Sequence, residues 1–560
     1  MMKGAVFVLC LLMVELSAQE KKEATQKDVD VKEEAKPQKP DAPLPKIDLP
    51  EFVITGNEKI NLNISSKAVD DEDRLFVPDK PTPGFRSLEV DGAVAQKQVK
   101  QFSQTPAALK GKFFSSLGFY FTPQLDAWFG EYDEKNSIIV NGYYSSSEGH
   151  VPDAGWWRGG GGAKARYVMP DSSSFLPYMQ LNGDVRYGRE SYRAYGSTAP
   201  GRVRDLTGYD FSLGAGSRYA LPYKTLSGFD YTGRFGWSHF AANDSGSSSE
   251  TDFFLNGVAT TRFIDVALRG QVEYRTTGYT FNLPRVQSGQ WFVLKGEAQT
   301  LLVPSLLSTL TLQQLFYRGN VGATSGRFYP QIELKYFMTE SASMYAGYAP
   351  TVERNTLASL IKQNRYMEFD ARLLPSDVQL DLHAGMEFSP SDDITVNAKY
   401  TYKRIGNYPT FLDTGGAKVW EVTYLSGVRS NKLDVSILYK FSEKQNITAY
   451  VSTEELKQKD SSGTVPHIPS FSVGSVYHHF FDFGLHVEAL AEYVSSRYTN
   501  FANTNSNAGY IFTTVKGDIE LMERFRGYAE IQNLLNQHYF IWNGYRERTI
   551  YLTFGISYHW

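Results

Sequence analysis

Residues 550–560 alternate without a break. Ile550, Leu552, Phe554, Ile556, Tyr558 and Trp560 are apolar or aromatic, and Tyr551, Thr553, Gly555, Ser557 and His559 stand between them. A period of two puts the first set on one face of a β-strand and the second on the other. The same signature runs through much of the chain. Leu268, Val272 and Tyr274 oppose Arg269, Gln271, Glu273 and Arg275. Ile394, Val396, Ala398, Tyr400 and Tyr402 oppose Thr395, Asn397, Lys399, Thr401 and Lys403, and Leu485, Val487, Ala489, Ala491 and Tyr493 oppose His486, Glu488 and Glu492. The second face is often charged, which suits a wet lumen better than a dry core. A soluble β-sandwich or propeller with one solvated face is the alternative that carries the same alternation.

Outside residues 5–14 no apolar run approaches the length a membrane helix needs, roughly 18 residues. A membrane protein is polar on average only if its spans alternate and close into a barrel, because lipid leaves no unpaired backbone group satisfied. Aromatic residues make up 14% of the 560, including 36 Tyr and 36 Phe, which fits interface girdles. The pattern therefore predicts an all-β chain, a transmembrane antiparallel β-barrel. The net charge of −4 gives no reason to expect a nucleic-acid partner.

The chain divides into four stretches. Residues 1–18, with Lys3 and the apolar run before Ser17 and Ala18, read as a secretory signal peptide. Cys10, the one cysteine, lies inside that run rather than after it, which argues against a lipoprotein signal and leaves no disulfide. Residues 19–48 are rich in Lys, Glu, Asp and Pro and read as a charged, disordered tether. Residues 49–110 form a short N-terminal segment, and residues 111–560 carry the strand pattern.

Connection lengths predict the strand number. Short connections fall near residues 132–137, 169–174, 220–225, 262–264, 303–308, 338–341, 389–393, 442–446, 481–484 and 522–525. Longer polar ones fall near 146–160, 190–206, 241–250, 277–288, 319–326, 351–376, 405–417, 456–467, 498–508 and 536–547, with a tighter turn near Pro123 on the same side. Short turns belong at the periplasmic end and long loops outside. About 22 strands follow, provided residues 419–441 are a single strand, bulged at Ser426 and Gly427.

Three segments resemble known ones. Residues 550–560 look like the C-terminal signal of bacterial outer-membrane barrels, which implies the barrel assembly machinery and outer-membrane lipid as partners. Asn533, Leu534, Asn536, Tyr539, Gly544, Tyr545 and Arg548 match the closing region of TonB-dependent outer-membrane receptors, and the resemblance extends diffusely over residues 112–560. In that family these are fold residues rather than ligand residues. Glu51, Phe52, Val53, Ile54, Thr55 and Gly56 resemble the family's energy-coupling box, a segment that adds a strand to a TonB-type coupling protein. An ordinary N-terminal strand is the other reading. The resemblance implies transport of an extracellular ligand of unknown identity across the outer membrane of a Gram-negative cell. It departs at one point: residues 57–110 are about half the length of the family's plug, while a 22-stranded lumen is normally plugged. A reduced N-terminal obstruction, loops folded inward, or a separate plug or periplasmic partner would each fill it.

Signals for chemistry are sparse. His478 and His479 are adjacent on a strand and point to opposite faces, so they cannot share a metal. His383 and His486 read as polar groups of the lumen. No local pattern marks a nucleophile and its base, a metal site or a cofactor site, so the chain reads as a non-enzyme. Residues 159–162, four glycines, lack a phosphate loop's Lys and Ser/Thr and read as a flexible lead into a strand. Trp156 and Trp157 are expected in the interface girdle. The expected function is a receptor-like transport barrel. Alternatives are a plugless structural barrel that recruits partners and, third, an outer-membrane enzyme.

Overall fold

The computed structural model describes residues 110–560, apart from 133–135, 170–178, 218–228, 264, 282–285, 320–324 and 460–462. The stretches 1–18 and 19–48, the coupling-box-like residues 51–56 and the rest of 49–109 lie outside the described residues.

The described residues form a closed antiparallel barrel of 22 strands. Each strand pairs with its sequence neighbours, from Gly111–Gly118 with Thr122–Tyr132 onward. The first strand also pairs with the last, Tyr551–His559, with Lys112 opposite His559 and Gly118 opposite Thr553. Closure leaves no free sheet edge, as lipid requires. Two short segments, Ala342–Tyr348 and Thr351–Glu353, both lie against Ser376–Ser391 and make one strand interrupted at Pro350, which has no N–H to give the ladder.

Every predicted short and long connection separates two strands, so the alternation of turn and loop ends holds around the wall. The segment at 419–441 is a single path broken where Ser426 and Gly427 were read as a bulge. Val428–Ser442 lies in the wall. Glu421–Leu425 continues beyond it and pairs with Tyr408–Leu412 as a separate two-stranded ribbon, whose Phe411 packs into the largest cluster of the loop end.

The two faces of the wall obey opposite rules. Large apolar side chains point outward and stay exposed, among them Leu255 at 54%, Val272 at 47%, Leu312 at 46% and Phe554 at 61%. Such a belt matches hydrocarbon rather than water. Inward-facing side chains pair by charge: Arg275 with Asp252 at 2.6 Å, Arg186 with Asp184 at 2.7 Å and Lys516 with Glu488 at 2.9 Å. In the closing strand Leu552, Phe554, Ile556 and Tyr558 are more exposed than the buried Tyr551, Thr553 and Ser557. Trp560 extends the strand, its carbonyl accepting from the Lys110 N–H at 2.6 Å, and its ring stacks on Tyr558.

Residues 159–162 sit inside the strand Trp156–Val168, not before it. The glycines are there for closeness: a Cβ on Gly160 would come within 2.3 Å of the Tyr187 carbonyl oxygen and 2.7 Å of the Tyr143 hydroxyl.

Buried apolar clusters collect at the long-loop end. The largest joins Tyr192, Leu206, Phe240 and Tyr279 from strand ends to Leu357, Leu360, Tyr366, Met367, Trp420 and Tyr545 from loops. Three smaller clusters, around Tyr510 and Tyr539, around Val428 and Leu456, and around Trp291 and Leu315, lie at the same end.

Candidate functional site

The longest connection, residues 354–375, builds the centre of this end. It begins with a helix, α1, Leu357–Gln363. Thr356 is its N-cap: the Thr356 hydroxyl accepts from the Ser359 N–H at 3.0 Å, and the Ser359 hydroxyl accepts from the Thr356 N–H at 2.9 Å. This reciprocal pair satisfies two donors that a helix start leaves open. Leu357, Leu360 and Ile361 fall on one face and are buried. The helix stops at Asn364, fully buried, whose side-chain oxygen accepts from the Tyr366 N–H at 3.0 Å.

The loop hangs from the thirteenth and fourteenth strands but is held by the fifth, sixth and eighth. In the eighth, the Glu250 carboxylate accepts the first helical N–H, that of Leu357, at 2.6 Å. In the sixth, the fully buried Arg204 donates to the carbonyls of Arg365 at 2.9 Å and Met367 at 2.7 Å. In the fifth, the Tyr192 hydroxyl donates to the Arg365 carbonyl at 2.5 Å, and Glu190 pairs with the Arg365 guanidinium at 2.5 Å. The loop returns past Gln287, whose side chain donates to the Leu373 carbonyl at 2.6 Å.

Two other loops close over it. The Trp420 carbonyl accepts from the Glu368 N–H at 2.7 Å, and the Tyr545 ring stacks on Tyr366 with centroids 3.6 Å apart. Arg204 lies over the Phe369 ring at 4.1 Å and Arg365 over Tyr192 at 4.0 Å, so guanidinium planes and aromatic faces alternate through the packing.

Charge in the loops is tuned by this burial. Burial pushes the Glu547 carboxyl up to about 7, although Arg548, Arg365 and Arg497 oppose the shift. Burial, then Arg497, lowers His467 to about 4, so its ring is neutral where it lies tilted against Trp542, with centroids 4.6 Å apart. Burial opposes the charge of Arg365, but Glu190 and the neighbouring tyrosines more than offset that and hold its guanidinium above the ordinary value.

The closing-region residues predicted from sequence meet in the last loop and act on its shape. Asn533, at φ +49°, donates from its amide to the carbonyls of Gln537 at 2.8 Å and Arg548 at 3.0 Å, and accepts from the Gln537 N–H at 3.0 Å. Asn536, at φ +52°, accepts from the Ile550 N–H at 3.1 Å. Tyr539 is buried and stacks on Tyr510 at 4.1 Å. Gly544, at φ +89°, makes the turn that drops Tyr545 into the main cluster, and the Tyr545 N–H donates to the Trp542 carbonyl at 2.9 Å. Arg548 lies over Tyr551 at 4.9 Å and Trp156 at 5.6 Å, while Leu534 is exposed.

Trp156 is a correction. It packs against the inner cluster at the loop end rather than standing in the interface girdle. Its partner Trp157 faces the other way, under Arg189 at 5.4 Å. His383 and His486 are lumen groups with carboxylate partners, Asp381 at 3.3 Å and Asp518 at 3.0 Å. His478 stacks on His486, whereas His479 stacks on Phe481, so the adjacent histidines do part to opposite faces. No group of three or more His, Cys, Asp or Glu able to hold a metal occurs among the described residues. The arrangement is a packed core of aromatic faces with guanidinium and carboxylate groups paired among them.

Sequence reasoning missed Arg204, Glu190, Arg365, Tyr366 and Trp420. One signal was present: residues 365–369, Arg-Tyr-Met-Glu-Phe, are too apolar and aromatic for a solvated loop.

No protein-family model matches the chain, and no curated protein matches it. Solved structures do. The ferric-catecholate import receptor Fiu from E. coli K12 is 11% identical, with 81% of this chain and 82% of that chain covered at a TM-score of 0.62. The FrpB iron transporter from Neisseria meningitidis (F3-3 variant) is 11% identical, with 83% of each covered at 0.64. The copper transporter OprC is 11% identical, with 81% of this chain and 80% of that chain covered at 0.62. A single closed sheet of this strand number excludes the soluble sandwich and propeller, and the chain has the fold of the TonB-dependent outer-membrane receptor barrel.

Proposed function

We propose that the protein is an outer-membrane receptor that captures a ligand at its long-loop end and passes it through the barrel. The observation that carries this reading is the closed 22-strand wall with an apolar outer belt and a charged lumen, a fold shared with import receptors. The cargoes named for the similar structures are ferric catecholate, iron and copper, so metals and metal chelates are the first ligand class to test.

Residues 51–56 serve, on this reading, as the strand that docks on a periplasmic energy-coupling protein, and residues 550–560 as the segment read during barrel assembly in the outer membrane. The experiment is deletion of residues 51–56 in the producing cell, followed by accumulation of radiolabelled iron and copper under metal limitation. Uptake is expected to fall to the level of a strain lacking the whole protein. Uptake and growth equal to the intact strain, while the whole-gene deletion loses both, would overturn the energised part. Equality among all three strains would overturn metal import altogether.

A further inference from the structure

We propose that residues 354–373 are the barrel's own stopper, a loop folded inward that closes the lumen from the long-loop end. A barrel of this strand number has a lumen wide enough to need filling. Connecting loops ordinarily lie on the surface because buried backbone polar groups need partners. This one breaks that rule. Between residues 354 and 375 only Lys362, Gln363 and Arg372 are exposed, while Leu357, Leu360, Asn364 and Met367 are fully buried.

Its anchorage shows what it spans. A rim loop would lean on the strands beside its own, the twelfth to fifteenth. This one is fixed to Glu190, Tyr192, Arg204 and Glu250, on strands five to nine places away round the wall. A chain held at both positions crosses the mouth. Its backbone carbonyls at Arg365 and Met367 are satisfied by the far wall through Arg204, whose own charge is balanced by Asp244 at 3.3 Å. That partnership is what lets irregular backbone sit inside a barrel.

The stopper is also built to move as one piece. It is capped internally by Thr356 and Ser359 and bounded by Pro350, where the preceding strand breaks, and Pro375, just before the next strand. Its grip on the far wall concentrates at Arg365, which meets Glu190 through its side chain and Arg204 and Tyr192 through its carbonyl. Breaking that point loosens the loop's hold on the far wall without touching the strand ladder, while Glu250 still holds the Leu357 N–H. Closure of this kind does not depend on which ligand the barrel takes, nor on whether uptake is energised.

The test is single-channel conductance of the full-length protein in planar bilayers. Wild type is expected to be closed. A Glu190→Cys/Arg365→Cys protein, in a Cys10→Ser background with no other cysteine, removes the ion pair but keeps the bonds to the Arg365 carbonyl, and is expected to open more often than wild type. Joining the two cysteines with a short bis-maleimide should return it to the closed level. Replacing residues 355–374 with a short Gly-Ser link should leave the pore continuously open. Heat-modifiable migration on gels confirms that each variant is a folded barrel. A folded link variant that stays closed, or a cysteine pair whose conductance the cross-link leaves unchanged, would overturn the proposal.

Discussion

The two ends of the barrel are held by different physics. At the turn end the strands are joined tightly, Val303 to Leu306 and Thr339 to Ala342, and charged pairs such as Lys444 with Asp482 stand in solvent. At the loop end the chain builds a core like that of a soluble domain, with Trp420, Tyr545, Leu357 and Met367 almost wholly buried. The wall between them needs only a greasy face and a closed ladder. The loop end needs particular partners, Arg204 for two carbonyls and Tyr545 for the Tyr366 ring. Specific packing therefore belongs to the loop end, whereas the construction of the turn end is generic.

Substitutions break this contrast in a graded way. The largest effect is expected from Arg204→Ala, which leaves the Met367 carbonyl without its side-chain donor, weakens the hold on the Arg365 carbonyl and removes the guanidinium from the Phe369 ring, while Asp244 keeps Arg202 at 2.7 Å. A buried acceptor left without its donor costs about 1–3 kcal/mol, and a desolvated guanidinium–ring contact about 2 more. Protease should then cut within 354–375 while the barrel stays heat-modifiable. Wild-type resistance at that loop would break the comparison.

Met367→Ala comes next. Emptying a fully buried site of this size costs about 2–5 kcal/mol. The loss should appear as a lowered first transition in thermal unfolding followed by tryptophan fluorescence, with the barrel's own transition unmoved.

A pH effect should follow from Glu547. Its folded value, about 7, lies above the ordinary 4.5, so the folded state holds its proton longer than the unfolded one. Stability of the loop end is therefore greatest below about 4.5, declines as pH rises between 4.5 and about 7, and is flat above. Glu547→Gln should reduce that slope in the same fluorescence melt, and an unchanged slope would assign it to another group. The smallest effect is expected from Lys444→Ala at the turn end, whose exposed pair is screened by water, and both melting transitions should stay where they are.

The division between wall and loop end also marks what the sequence made legible. Strands announce themselves through a local period of two, as Leu268, Val272 and Tyr274 do against Arg269 and Glu273, and connection lengths then fix their number. Even the break at Ser426 and Gly427 is local. In the last loop Asn533 and Gly544 hold positive φ within a few residues of the groups they serve, so the geometry there is local as well. The stopper was not legible. Its helix has one short turn of apolar spacing, and its partners lie about 100 to 180 residues away in sequence, as Glu250 is from Leu357 and Glu190 from Arg365. Trp156 was misread for the same reason: beside a membrane an aromatic at a strand end fits the interface, and only the distant Arg548 and the inner cluster reveal that it turns inward.

Amide hydrogen exchange on the intact protein, resolved by peptide, tests the central claim most directly. If the loop end is a packed core closing the barrel, peptides covering 357–371 exchange as slowly as those from the wall strand Val428–Ser442, and far more slowly than the exposed turn at 521–525. Exchange of 357–371 within seconds, at the pace of that turn, would contradict it.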